Sequence, residues 1–226
     1  MECVKTIGLK RTYTSNVGMP VEALSGVDFT VEKGEFLALV GPSGSGKTTL
    51  LNMIGGLDEP TEGKVFMEER EITGLSGGAL AELRLQRIGF IFQEYNLIPV
   101  LSAVENVEYV LLLQGVQEEE RRERARNMLD EVGLKGMEDR RPRQLSGGQQ
   151  QRVAIARAIV AEPVLVLADE PTANLDSVTG AALLDLMREE NEKRATTFIF
   201  STHDPMVMER ARRVVRLKDG HIVVEP

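Results

Sequence analysis

FLALVGPSGSGKTTLLNMI, residues 36–54, is the stretch on which the fold turns. Residues 36–40 form a continuous apolar run of the kind that makes a strand buried on both faces. The next segment, GPSGSGKT at residues 41–48, fits the pattern G-x-x-x-x-G-K-[ST] at every fixed position. Gly41, Gly44 and Gly46 allow backbone angles that a side chain would forbid, so consecutive N–H groups can turn inward around phosphates. A helix predicted over residues 48–54 adds the positive end of its dipole to the same anion site. Lys47 would reach the β- and γ-phosphates as a point charge, and the Thr48 hydroxyl would ligate Mg²⁺. Ser43, Ser45 and Thr49 are further candidates around the same phosphates. The plainer alternative is a glycine turn with an incidental lysine; the strand before it and the helix after it favour phosphate binding. By itself the loop says only that a nucleotide is bound.

Two downstream segments narrow the reading. LSGGQQQR occupies residues 145–152, and VLVLADEP, an apolar run ending in two adjacent carboxylates, occupies residues 164–171. A P-loop, then LSGGQ, then an apolar strand closing on Asp-Glu resembles the ATPase subunit of an ABC (ATP-binding cassette) system. The resemblance runs from about residue 13 to residue 203. It implies an α/β P-loop NTPase fold: a RecA-like parallel-sheet core, an antiparallel β-subdomain and an α-helical subdomain. A single domain over residues 1–226 is expected, with the helical subdomain at about residues 85–160.

Composition agrees with one globular domain of 226 residues. No apolar stretch approaches the roughly 18–20 residues needed to span a bilayer, and the N-terminal sequence lacks the apolar core of a signal peptide. The single cysteine, Cys3, excludes an internal disulfide framework and fits a reducing compartment. A net charge of −8 argues against a nucleic-acid binder that works through bulk electrostatics. Along the chain, β-type runs at residues 4–13 and 27–31 suggest antiparallel strands joined by a turn-rich link at 15–20. A short strand is expected at 64–67. Helical character dominates from 79 to 160, clearest at 118–132, where Glu and Arg recur at i, i+4 spacing. Strand–helix alternation then resumes: 164–168, 177–191, 196–201 and 205–211, with a closing hairpin of 214–217 and 222–224.

The acidic pair follows a strand expected to lie beside the P-loop strand, which would aim one carboxylate at the metal and the other at the γ-phosphate side. By the resemblance, Asp169 is the Mg²⁺-side aspartate and Glu170 the base that accepts a proton from the attacking water. A Glu at position 170, rather than Gln or Asp, implies a hydrolysing site. The bland alternative is an acidic cap before Pro171. His203, in STHD, matches the family's histidine that contacts the γ-phosphate, although an isolated histidine would read as structural or merely exposed. Gln93, in GFIFQEYNLIP, looks like the glutamine that ligates Mg²⁺ when ATP is present. Tyr13 is the candidate for stacking on adenine, and reads equally well as an edge-strand tyrosine.

Ser146, Gly147 and Gly148 would open a helix whose free N–H groups form an anion site with neither lysine nor metal ligand. The same serine reads as an N-cap, with Gln149 completing a capping box, and the two readings are compatible. In this family the segment meets the γ-phosphate held by the opposite protomer, so a homodimer in the ATP-bound state is implied. ANLD at residues 173–176 falls where the family's D-loop crosses that interface; Asn174 is a modest departure that leaves Asp176 in place. NLIPVLSAVENV, residues 96–107, resembles the branch serving lipoprotein release, macrolide efflux and FtsX-like partners. There a cleft beside Gln93 receives a short helix from an integral membrane permease subunit. Leu97, Ile98, Pro99 and Leu101 are candidates for that surface and equally for internal packing. The expectation is a cytoplasmic ATPase, peripheral on the membrane through its partner, using ATP and Mg²⁺ without direct nucleic-acid contact to drive export or mechanical coupling. The alternative is a soluble ABC ATPase acting on a cytoplasmic macromolecule.

Overall fold

The computed structural model describes residues 1–14 and 19–223. The chain begins with two long strands, β1 (Glu2–Tyr13) and β2 (Val21–Glu32), and β3 (Phe36–Val40) then leads through the glycine loop into α1 (Lys47–Ile54). Next come β4 (Glu62–Met67), β5 (Arg70–Glu71), α2 (Gly77–Arg87) and β6 (Ile88–Ile91). Three helices follow, α3 (Ala103–Leu113), α4 (Glu118–Glu131) and α5 (Gly147–Ile159), the last preceded by a 3₁₀ turn at Pro142–Gln144. β7 (Leu165–Asp169), α6 (Ser177–Arg194), β8 (Thr197–Thr202) and α7 (Pro205–Arg210) lead to the hairpin of β9 (Arg213–Lys218) and β10 (His221–Val223).

Two sheets share these strands. The first is antiparallel, in the order β2-β1-β4-β5; the second runs β10-β9-β3-β8-β7-β6 and is parallel except for the β9–β10 pair. β3 is buried along its whole length and lies between β8 and β9, so β7, the strand of the acidic pair, is one strand removed from it and not beside it as expected. Side chains alternate across a strand, so FLALV serves two cores at once. Phe36, Ala38 and Val40 face the helices α3 to α6 together with Val166, Phe198 and Phe200. Leu37 and Leu39 face α1 and the antiparallel sheet, with Leu165, Leu167 and Ile199. The Phe36 and Phe200 rings meet with centroids 4.6 Å apart.

Several boundaries move from their expected positions. β2 starts at Val21, because β1 pairs with it along nearly its whole length despite register shifts. The α6 helix runs on to Arg194 and stops where Ala195 turns left-handed (φ 54°). Most of the expected link at 15–20, and Val224 of the hairpin, lie outside the described residues. The hairpin does more than close the chain: β9 pairs in parallel with β3 and joins the core sheet. The stretch expected to be helical opens with α2 but is interrupted by β6, which pairs in parallel with β7. The backbone of α5 presses on that strand at Gly89, where a Cβ would overlap the Ala158 carbonyl. Among the described residues no helix is long and apolar enough to cross a membrane.

Phe200 tests the two-faced core. Phe200→Ala should lower the stability to chemical denaturation by about 3–5 kcal/mol with little change in slope. A loss below about 1 kcal/mol would mean that the helical face repacks around the gap.

Candidate active site

The loop between β3 and α1 is wedged between neighbours that leave no room for side chains. A Cβ on Gly41 would overlap the Leu217 carbonyl oxygen of β9, and one on Gly46 (φ 103°) would overlap the Ala23 carbonyl oxygen of β2. Gly44 is also left-handed, at φ 79°, with open space where its side chain would be. The requirement at Gly44 is therefore conformational, and at Gly46 it is both conformational and steric. Lys47 is buried; its ammonium donates to the carbonyls of Gly41 (2.8 Å) and Pro42 (3.1 Å), so the loop curls around its own cation. The buried hydroxyl of Ser45 has no hydrogen-bond partner among the described residues.

A cleft of about 700 Å³ opens above this loop. Pro42, Ser43, Gly44, Gly46, Lys47, Thr48 and Thr49 form its floor, and Val21 and Ala23 one wall. The ends of β7 and β8 supply Asp169, Glu170, Ser201 and His203, and the segment after β6 supplies Gln93. Parallel strands that end at the same level bring these groups together, the usual location of a site on such a sheet. The Thr48 hydroxyl donates to Asp169 at 3.2 Å, bridging α1 to β7. Glu170 is left-handed (φ 45°), with its N–H on Ser201 O (2.9 Å) and its carbonyl accepting from Ala173 N (3.2 Å). That turn aims its carboxylate into the cleft, where Oε1 meets His203 Nδ1 at 2.8 Å and Oε2 accepts from the Thr202 hydroxyl at 3.3 Å. His203 is otherwise exposed. The Ser201 hydroxyl is buried and unpartnered among the described residues.

The other sequence-predicted residues separate into two groups. Ser146, Gly147 and Gly148 do not line the cleft. They open α5 on a different surface, with the capping box realised: Ser146 Oγ accepts from Gln149 N (3.3 Å) and Gln149 Oε1 from Ser146 N (2.9 Å). The first N–H groups of a helix have no partner within it, so the turn presents donors outward. Tyr13 also lies off the cleft lining. Its strand neighbour Val21 reaches the cleft, but the Tyr13 hydroxyl donates to Asp58 (2.8 Å) and the Arg11 guanidinium lies 4.6 Å over its ring. One ring face and the hydroxyl are thus engaged by Arg11 and Asp58, and Tyr13 is not among the residues that line the cleft.

Two contacts escaped the sequence reading because nothing in the residue types announces them. Asn174 donates to Gln93 O at 2.9 Å, tying the ANLD segment to the cleft wall. Arg157 donates to Asn96 O (2.6 Å) and Tyr95 O (2.9 Å), and burial of its guanidinium lowers its pKa. Of the apolar residues at 97–101, Leu97 packs against the core and Ile98 is pinned through both backbone groups by the buried Asn106, at 2.7 and 3.2 Å. Pro99 is exposed.

A glycine loop around a buried lysine, with a hydroxyl–carboxylate pair and a glutamate–histidine pair opposite, defines a nucleotide-binding P-loop site. The ABC transporter family model matches residues 24–173, well over half the chain. The ATP-binding protein LolD 1 of the lipoprotein-releasing system of Rhodopseudomonas palustris is 46% identical over 98% of both chains. An uncharacterised ABC transporter ATP-binding protein of Thermotoga maritima is 50% identical over 89% of this chain and 86% of its own. The macrolide export ATP-binding/permease protein MacB of Syntrophobacter fumaroxidans is 46% identical over all of this chain, which spans 32% of MacB. A dimeric ATP-binding cassette solved in a post-hydrolysis state with ADP and Pi superposes with a TM-score of 0.91 at 43% identity, covering 99% of this chain and 97% of that one. The chain belongs to the ABC transporter family as an ATP-binding cassette, an ATPase.

Gly46→Ala probes the closeness of the loop. It should cost about 1–3 kcal/mol of stability and weaken ATP binding at least roughly tenfold, read by denaturation and nucleotide titration. Parent-like ATP affinity would contradict the wedged geometry.

Proposed function

We propose that this chain hydrolyses ATP as one half of a two-chain sandwich and drives a membrane permease. The observation that carries the reading is the separation of two anion-directed surfaces. The cleft holds Lys47 and the acidic residues, whereas the N-terminus of α5 presents Ser146, Gly147 and Gly148 elsewhere. Donors without a lysine or a metal ligand are too few to hold a triphosphate alone. They suit a phosphate already bound by another copy.

Within the cleft, Lys47 exchanges its two carbonyl partners for phosphate oxygens, and the N–H groups of residues 43–48 surround the phosphates. The orphaned Ser201 hydroxyl, which lines the cleft, is available for a polar atom of the same ligand. Thr48, Asp169 and Gln93 would hold Mg²⁺, which when bound neutralises charge on the phosphate oxygens. Thr48 and Asp169 already lie in contact. So small a protein donor set fits a cation that keeps waters and phosphate as its remaining ligands. Glu170 accepts the proton of the attacking water, and His203 holds that carboxylate in place from its exposed side while reaching toward the γ-phosphate. Val21 and Ala23 offer the adenine ring an apolar wall.

Beside Gln93 lies a second hollow of about 350 Å³, lined by Leu57, Leu85, Phe90, Phe92, Val110 and Ala161 among others. Its size and largely apolar lining suit a short helix of the permease, whereas Pro99 lines a different hollow with Val100, Asp139 and Arg141. The names of the relatives support a permease partner: MacB is an ATP-binding/permease protein, and this chain matches about a third of it.

Lys47→Ala should weaken ATP binding itself, and undiminished affinity would count against the loop assignment. Glu170→Gln should bind ATP as the parent does while turnover falls by about 10²-fold or more; parent-rate hydrolysis would remove Glu170 from its role. Leu57, an exposed residue of the second hollow, tests the permease contact. Leu57→Asp should release the protein from membranes that contain its permease, and full retention there would place the docking surface elsewhere.

A further inference from the structure

We propose that Arg157 is a positioning residue for Gln93, through which α5 sets where that glutamine stands in the cleft. The proposal rests on the reading of Gln93 given above. Residues 93–96 form a strap between the cleft and α5, and its conformation is not one the backbone adopts unaided. Tyr95 (φ 60°) and Asn96 (φ 48°) are consecutive left-handed residues, each carrying a side chain. Such residues cost roughly 1–2 kcal/mol apiece and persist only where surrounding contacts enforce them.

Those contacts come chiefly from one side chain. The planar guanidinium of Arg157 donates one N–H to Asn96 O and another to Tyr95 O. No carboxylate pairs with Arg157 among the described residues, and these two carbonyls are its hydrogen-bond partners. A forked donor can hold two adjacent carbonyls at once; an ammonium on a flexible stem holds them without fixing their relative angle. The strap touches α5 a second time, near the opposite end of the helix. A Cβ on Gly147 would sit 2.9 Å from the Tyr95 hydroxyl, so Tyr95 lies directly over the first turn of α5. On its other side the strap is tied to the ANLD segment by Asn174 at Gln93 O. Gln151 of the same helix donates to Pro171 O (2.8 Å), the residue after Glu170. A shift of α5 therefore displaces the strap directly, and Gln93 is the strap residue that lines the cleft.

A double-mutant cycle on the full-length protein tests this. Arg157→Lys keeps the charge and the apolar stem but loses the fork. It should raise amide hydrogen exchange across residues 94–97 by about tenfold or more in the nucleotide-free protein. It should also lower kcat roughly 5- to 20-fold, with the denaturation midpoint close to the parent's. Gln93→Ala should lower kcat to a similar extent, and the double variant should fall no further than the worse single one. Losses that multiply in the double variant would overturn the proposal while leaving Gln93 its role. Parent-like kcat in Gln93→Ala would instead overturn the reading of Gln93, and the proposal with it. A drop in the denaturation midpoint that accounts for the lost turnover would assign Arg157 to packing and overturn the proposal.

Discussion

The close approach of the glycine loop to its neighbours is the constraint on which the site depends. β3 lies between β8 and β9, and the chain must turn at its end into α1 without colliding with Leu217 of β9 or Ala23 of β2. Only a residue lacking Cβ satisfies that at Gly41 and Gly46. The same turn brings Lys47 under the loop and Thr48 against Asp169. One steric limitation thus fixes the cation, the hydroxyl and the carboxylate relative to one another.

The electrostatics of the cleft follow from that arrangement. Lys47 is held by carbonyls, not by a carboxylate, so phosphate oxygens compete against neutral acceptors for it. Asp169 and Glu170, adjacent in sequence, are kept apart in function by the left-handed turn at Glu170, which sends one toward Thr48 and the other toward His203. That strain is held in place by hydrogen bonds at both of its backbone groups. The α5 helix then connects regions that are distant in sequence. It carries the serine–glycine surface at its start, supports the Glu170–Pro171 turn through Gln151, and holds the Gln93 strap through Arg157.

The core sheet was readable because its strands are continuous apolar runs closing on polar chemistry: FLALV before the loop, VLVLA before Asp169, and the run before STHD. Periodicity could not reveal that β9 joins β3, because a hairpin pattern looks the same whether or not its first strand has a third neighbour. The glycine loop, the carboxylates and the capped start of α5 were legible from residue type and spacing. The contacts of Tyr13 were not: Arg11 lies over its ring and Asp58 accepts from its hydroxyl, and no pattern along β1 encodes a contact with a residue after α1. Arg157 and Asn174 escaped for the same reason, since both act on backbone carbonyls, which leave no trace in a sequence.

The proposed function stands on closure of this cleft by the α5 N-terminus of a second copy. Light scattering on Glu170→Gln, with and without ATP and Mg²⁺, reads that closure as mass. A nucleotide-dependent doubling, from monomer to dimer, is expected. A variant that binds ATP yet remains a monomer across the accessible concentration range would rule out the two-chain site.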